Sequence, residues 1–365
     1  MTAQTAFAGK TVLMMAGGTG GHVYPALAVA QAAHDAGATV HWLGNAQGFE
    51  GRKVPAYGFA FHDIAVRGLR GKGVLGWLRA PWMLWRAIGA AKKVMRTVRP
   101  DVVVGMGGFA AGPGGYAAKS LRIPLVIHEQ NAVAGLTNRL LSRWASRVLL
   151  ADERAAARMA TKDYGVTGNP VRADIAAVPA PEERFAGREG RIRLLVLGGS
   201  QGARALNTLL PEALALIDEA ARPQVLHQVG ERWLEEARAA YTQAGAQAEV
   251  VAFVDDMPRV YAQADWVLAR SGALSVAEIA TVGLGALFVP FPHAVDDHQT
   301  ANAQALVAAG AAEVIQQADL TAEKLAAAIM ARGSRETLLA QALRARQCSH
   351  AKALAHIMQE IALVM

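Results

Sequence analysis

Apolar residues in this 365-residue chain fall in short unbroken runs rather than in strict alternation. In the first half, runs rich in Val, Ile and Leu cover residues 11–16, 39–43, 101–106, 125–128 and 147–150. In the second half they cover 193–197, 224–229, 249–253, 266–269 and 286–290. Segments with helical spacing separate most of them, for example 24–36, 206–220, 234–243, 274–282 and 300–309. A strand covered on both faces reads as a continuous apolar run, and helices supply the cover. The pattern predicts an α/β protein built on parallel sheets.

Two glycine-rich turns punctuate this pattern at matching places. "MAGGTGGHVYPALAVA" (15–30) follows the first strand of the first half, and "VLGGSQGARALNTLL" (196–210) follows the first strand of the second. Between the halves, residues 168–191 carry three prolines and mixed charge, the best linker in the chain. We therefore expect two doubly wound, Rossmann-like domains with a cleft between them. The first spans 1–168 and the second 192–348, joined by a linker over 169–191. A C-terminal helix in 349–365 is placed to cross back to the first domain.

Length supports this division, because 365 residues exceed one compact core. Cys348 is the sole cysteine, which rules out an internal disulfide framework and any cysteine-based zinc site. No secretory pattern opens the sequence. The longest uncharged windows, 102–118 and 279–295, are broken by Gly and Pro and fall short of the ~20 apolar residues of a spanning helix. The net charge of +7 is local: nine basic residues and no acidic one lie between Val66 and Arg99. These are Arg67, Arg70, Lys72, Arg79, Arg86, Lys92, Lys93, Arg96 and Arg99, interleaved with Trp77, Trp82 and Trp85. Aromatic and basic residues so mixed suit an anionic membrane surface, while a core helix with a solvated face is the plainer alternative. A nucleic-acid stripe would not interleave in this way, and no nucleic-acid module is recognisable.

Neither glycine turn matches the dinucleotide fingerprint or the P-loop. Glycines between a strand and a helix nevertheless bring backbone N–H groups and a helix N-terminus to an anion. Thr19 and Ser200 add hydroxyl donors. Ligands in such folds sit beyond the carboxyl ends of the strands. No Asp-x-Asp pair occurs, and His293, Asp296, Asp297 and His298 read better as a loop capping the next helix than as a metal cluster. We expect no metal and no cofactor; phosphate charge falls to helix ends and arginines.

At this point the residues resemble a known family. "GGTGGHVYPALAVA", "GMGGFAAGPGG", "HEQNAVAGLTNR", "GNPVR", "GGSQGA", "RSGALSVAEIA" and "DDHQTANA" occur in this order and together are similar to the MurG family of peripheral glycosyltransferases. The resemblance runs from about Lys10 to beyond Asn302. It implies a GT-B fold and transfer of N-acetylglucosamine from the UDP-sugar to the C4 hydroxyl of the muramyl sugar on lipid I. The donor linkage is α and the product β-1,4, so configuration inverts. Partners are then UDP-N-acetylglucosamine, lipid I and the anionic cytoplasmic face of the inner membrane.

Inversion in one displacement requires a base on the acceptor side. His22, closing the first glycine turn, is the candidate, and a phosphate-binding histidine is the competing reading. By matching position, the family implies that Ser200 and the backbone of 199–202 meet the phosphates, Val254 reads uracil, and Glu278 accepts the ribose hydroxyls. Thr19, Gly20, Gly21, Asn131, Arg172, Ala273, Leu274, Ser275 and Gln299 complete the donor set. Gly108, Gly114 and Glu129 are acceptor-side candidates. Gly285 and Ala134 stand where the family often has proline, which loosens a turn. The alternative reading is a UDP-N-acetylglucosamine 2-epimerase of the same fold, which has no use for the basic region.

Overall fold

The computed structural model describes residues 6–64, 74–199 and 202–365. Arg67, Arg70, Lys72 and Ser200 lie outside the described residues. The chain divides into two units: one runs up to Arg172 and takes in His350–Met365, the other is Ala173–Ser349.

The first unit holds a seven-stranded sheet in the order β3-β2-β1-β4-β5-β6-β7. Its strands are β1 (Thr11–Met15), β2 (Thr39–Gly44), β3 (Ala60–Asp63), β4 (Val102–Gly105), β5 (Leu125–Glu129), β6 (Arg147–Leu150) and β7 (Gly165–Val166), every pair parallel. The second holds a six-stranded parallel sheet in the order β10-β9-β8-β11-β12-β13. Here the strands are β8 (Arg193–Leu197), β9 (Gln224–Gln228), β10 (Glu249–Val251), β11 (Trp266–Ala269), β12 (Gly285–Phe288) and β13 (Ala312–Val314). The two doubly wound parallel sheets are those the apolar runs predict. The pattern misses β3, β7 and β13, which are short edge strands without a continuous apolar run. Gly285 is not in a turn: it opens β12 opposite Trp266, where a Cβ would lie 2.7 Å from Gln341 Oε1.

In each sheet the strand order reverses beside the central strand, between β1 and β4 and between β8 and β11. Such a switch point splays the following loops apart and opens a crevice at the carboxyl ends of the strands. The first core joins β1 to one face of the Gly20–Asp35 helix through Val12, Met14, Ala26, Leu27 and Ala30. Ile357, Met358 and Ile361 of the Ala353–Ala362 helix complete it, so the chain's last residues belong to this first core. Arg147 hydrogen-bonds Glu360 on that helix. The segment after Arg172 is ordered within the second unit. Arg184, 7% exposed, donates to the carbonyls of Pro179, Tyr261, Val282 and Gly283, while Arg188 pairs with the buried Asp265 at 2.7 Å.

Each core also encloses a histidine. His128 in β5 is fully buried, and its pKa is driven down to about 4 by desolvation. His227 in β9 is buried against the Tyr241 hydroxyl at 2.9 Å, and desolvation takes it down to about 3. Burial disfavours the imidazolium, so the unfolded chain binds these protons first, near pH 6.5. Stability is complete above that value and declines as pH falls toward the folded-state pKa values. At pH 5 each histidine should cost its unit about 2 kcal/mol relative to pH 7. Urea unfolding at the two pH values measures this, and equal unfolding free energies would contradict neutral burial.

Candidate functional site

In the first unit the glycine turn is anchored from below. The chain leaves β1 at Met15 and turns through Gly18 at φ +96°, a conformation that favours glycine. The Gly18 N–H donates to Glu50 Oε2 at 3.0 Å, and the Asn45 N–H to Oε1 at 3.1 Å. Glu50 is buried in the short Phe49–Lys53 helix, and a Cβ on Gly17 would sit 2.4 Å from its Oε1. No sequence motif marks Glu50, and its anchoring role becomes visible only once β2 is paired with β1.

Thr19 is the N-cap of the Gly20–Asp35 helix in extended conformation, with no side-chain capping bond. Gly20 and Gly21 form the first turn, which holds no acidic residue. The helix itself thus brings no negative charge to its positive end, and the carboxylate nearby is that of Glu50 on the Gly18 N–H. His22 follows, half-buried, its backbone N–H donating to the Thr19 carbonyl at 3.1 Å.

The loop after β4 presses on this turn. Gly107 and Gly108 have φ of +87° and +83°. A Cβ on Gly107 would meet His22 Nδ1 at 2.6 Å, and one on Gly108 would meet the Gly17 carbonyl oxygen at 2.1 Å. After β5 comes Gln130, 2% exposed, whose Oε1 lies 3.0 Å from His22 Nδ1 and whose Nε2 donates to the Met106 carbonyl at 3.0 Å. Thr19, Gly20, Gly21, His22 and Gly108 thus gather at the carboxyl ends of β1 and β4, on the switch point, with Gln130 beneath. Gln130 lies inside the "HEQN" motif, where spacing alone distinguishes it from none of its neighbours.

Other candidates in this unit have different surroundings. Glu129 is buried and accepts from Asn131 N–H at 3.0 Å, Asn131 Nδ2 at 3.2 Å, Gly135 N–H at 3.1 Å and Asn138 Nδ2 at 2.9 Å. It organises the loop that presents Asn131. Gly114 lies within the Ala111–Leu121 helix, where a Cβ would be 2.1 Å from Met15 Sδ; its place is in helix–sheet packing. Arg172 lies over the Tyr24 ring at 5.6 Å, two residues along the helix from His22.

In the second unit Gly199 and Gly202, flanking the undescribed Ser200, have φ of +76° and +74°. A Cβ on Gly202 would be 2.5 Å from Trp233 Cδ1. Ala273, Leu274 and Ser275 form the first turn of the Ala273–Val282 helix, again without an acidic residue. Glu278, one turn further on and 8% exposed, accepts from the Tyr261 hydroxyl at 3.0 Å; Tyr261 is a further residue absent from the sequence reading. The helix lies just after β11. Val254, three residues beyond β10, is buried. Gln299 accepts from the Phe291 N–H at 2.9 Å, fixing its carboxamide in the loop after β12. Arg270 spans the same loop, bonding the Val289 and Pro290 carbonyls at 2.9 Å each; burial lowers its pKa to about 10, so it stays charged at neutral pH.

Asp297 occupies the N-cap of the His298–Ala308 helix, as the loop reading expects, yet its carboxylate takes the Thr300 hydroxyl at 2.7 Å instead of a backbone N–H. Asp296 and Asp297 are both left-handed, with φ of 53° and 49°, which turns the carboxylate away from the usual capping geometry. Among the described residues, no group of three or more His, Cys, Asp and Glu is disposed to hold a metal ion.

Comparison with known proteins identifies the family. Residues 12–150 match the glycosyltransferase family 28 N-terminal domain, and residues 193–361 match the family 28 C-terminal domain. The chain is 64% identical to the UDP-N-acetylglucosamine–N-acetylmuramyl-(pentapeptide) pyrophosphoryl-undecaprenol N-acetylglucosamine transferase of Dichelobacter nodosus, over 97% of this chain and 98% of that one. The crystal structure of Acinetobacter baumannii MurG is 38% identical, with a TM-score of 0.79 over 96% of this chain and 99% of that chain. The UDP-GlcNAc 2-epimerase of Neisseria meningitidis, solved with UDP-GlcNAc, covers 96% of this chain and 99% of its own at a TM-score of 0.64. At 14% identity that likeness concerns the fold alone. With both halves matched to one family and near-complete alignment to a named relative, the chain belongs to glycosyltransferase family 28 and, within it, to the MurG family.

Proposed function

We infer that this chain transfers N-acetylglucosamine from UDP-N-acetylglucosamine to the muramyl sugar of lipid I, producing lipid II for peptidoglycan synthesis. The observation that carries this is 64% identity along 97% of the chain to a transferase named for that reaction. The epimerase reading rests on fold similarity only and lacks such support.

The mechanism we propose is a single inverting displacement. His22 Nε2 takes the proton from the C4 hydroxyl, the freed oxygen pair attacks the anomeric carbon, and the bond to UDP breaks with its electrons passing to the diphosphate. What supports the role of His22 is its position on the first turn of a helix whose glycine loop is locked at the switch point. We assign the departing charge to backbone N–H groups and helix ends, with Ser200, Gly199–Gly202, Thr19, Gly20, Gly21 and Arg172 as contacts. Val254, Ala273, Leu274, Ser275 and Glu278 are proposed to hold the nucleoside, and Asn131 and Gln299 the sugar. Glu278 is suited to this, since a carboxylate accepts from hydroxyls, as it does from that of Tyr261. Gly108, beside the 53%-exposed Phe109, is kept as the acceptor-side segment.

We also propose peripheral docking on the cytoplasmic face of the inner membrane. No helix among the described residues is long and apolar enough to cross a membrane. The Val74–Val98 helix exposes Trp82 at 59%, Leu84 at 50% and Trp85 at 73%, with Arg86 stacked over the Trp82 ring at 4.7 Å. Ala87, Ala91 and Met95 turn inward, so the core explanation accounts for one face and leaves the tryptophans unexplained.

Three outcomes are expected. With labelled UDP-N-acetylglucosamine and a lipid I analogue, label should pass to lipid and continue to do so in EDTA. His22→Ala should then lower turnover by roughly 10²–10⁴-fold with UDP affinity preserved. Label found only in an epimer would support the isomerase, and parallel loss of UDP binding would make His22 a phosphate ligand. In sedimentation with anionic vesicles, Trp85→Ser with Arg86→Glu should reduce binding by about tenfold or more, each basic side chain being worth on the order of 1 kcal/mol at such a surface. Unchanged sedimentation would remove the membrane proposal.

A further inference from the structure

Hydrogen-bond bookkeeping around His22 fixes more than its position. The Gly168 carbonyl can only accept, so His128, whose Nε2 lies 3.0 Å away, carries its proton on Nε2. His128 Nδ1 is then an acceptor, and it faces Gln130 Nε2 at 3.3 Å. The same Gln130 nitrogen reaches the Met106 carbonyl at 3.0 Å and the His128 carbonyl at 3.3 Å. Flipping the Gln130 amide would set its oxygen against two carbonyl oxygens and an imine nitrogen, all acceptors. The amide therefore has one orientation, with Oε1 toward His22 Nδ1 at 3.0 Å. An amide oxygen cannot donate.

We propose that Gln130 is a positioning residue that holds His22 in its Nδ1–H tautomer, leaving the lone pair on Nε2. This rests on the reading of His22 as the base. Of the two neutral tautomers, this one has a free pair on the outer nitrogen, able to take the C4 hydroxyl proton. When that proton arrives, the Nδ1–H bond to Gln130 persists and becomes charge-assisted, so the imidazolium is held without reorganisation. His128 acts one step further back. Buried and neutral, it keeps Gln130 from turning. Gly107 belongs to the same device, because any side chain there would strike His22 Nδ1 or Gln130 Oε1.

The test uses full-length protein labelled with ¹⁵N-histidine, His22 being assigned by loss of its signals in His22→Ala. Two-bond proton–nitrogen spectra above pH 7 should show His22 with a protonated-type Nδ1 and an unprotonated-type Nε2. Gln130→Met removes the acceptor and should shift His22 toward the Nε2–H form. It should also lower kcat roughly 10- to 10²-fold, part of the factor lost with the base itself, while donor KM and UDP affinity hold. Gln130→Glu keeps an oxygen opposite Nδ1 and should retain the Nδ1–H form, although its second oxygen, set against the Met106 and His128 carbonyls, costs stability. An Nε2–H His22 in the wild type, or an unchanged tautomer in Gln130→Met, would overturn the proposal. So would a joint fall in kcat and UDP affinity with the tautomer unmoved, which marks a merely structural role. Full turnover in His22→Ala would instead remove the base reading, and the spectra would still report on Gln130.

Discussion

The first unit depends on a contact between two backbones with nothing between them. Gly108 sits against the Gly17 carbonyl so closely that a Cβ would lie 2.1 Å from the oxygen. Two loops leaving adjacent strands meet only if both lack side chains at the crossing, and φ of +83° at Gly108 adds a second reason for glycine. The turn before the helix is then squeezed from one side by Gly108 and bonded from another by Glu50. Loops ordinarily carry the mobility of a site, but this one is fixed at two points, which makes it fit to aim a side chain. The His22 backbone cannot wander, and what remains to be set is the ring itself.

Much of this was legible in the sequence, for physical reasons that differ by element. Parallel strands buried on both faces announce themselves as unbroken apolar runs, which is why β1, β2, β4, β5, β6, β8, β9, β11 and β12 can be read directly, while the edge strand β10 is read from the apolar residues that follow Glu249. β3, β7 and β13 are edges: half-exposed and short, they carry no such run. The glycine turns were visible as composition, and their placement after the first strand of each half followed from periodicity. Glu50 was not visible. Its carboxylate acts on Gly18, thirty-two positions away, through a pairing of strands that no local pattern encodes. Glu129 and Gly114 illustrate the converse, since a motif position points equally to a ligand or to the scaffold. Four donors around Glu129 and a methionine sulfur beneath Gly114 reveal scaffold duties that spacing cannot.

The two units repeat one solution with different chemistry on it. Both place glycines after the central strand and a helix with no acidic residue in its first turn beside the reversal of strand order. In the first unit that helix brings a histidine within its first turn. In the second, the helix after β11 brings a carboxylate, Glu278, one turn further in and held by Tyr261. In the proposed roles, a base near the reacting oxygen and a carboxylate facing sugar hydroxyls would make opposite demands. The first would have to gain a proton, whereas the second would accept from hydroxyls, as Glu278 already does from Tyr261.

The buried polar chain from Gly168 through His128 and Gln130 ties the His22 ring to the fold at an unexpected place. Gly168 has φ of +81°, and a Cβ there would strike His350, the residue at which the chain returns to the first unit. Asn169 donates to the Gln130 carbonyl at 2.9 Å, so the same glutamine is held by its backbone as well as its side chain. The segment by which the chain leaves the first unit is therefore the segment that supplies the last acceptor of the network. A displacement of Gly168 would free His128 Nε2–H from its acceptor, and a buried donor without one costs about 1–3 kcal/mol. The orientation of Gln130, and through it the ring of His22, is thereby tied to the conformation of the chain at the exit from the first unit.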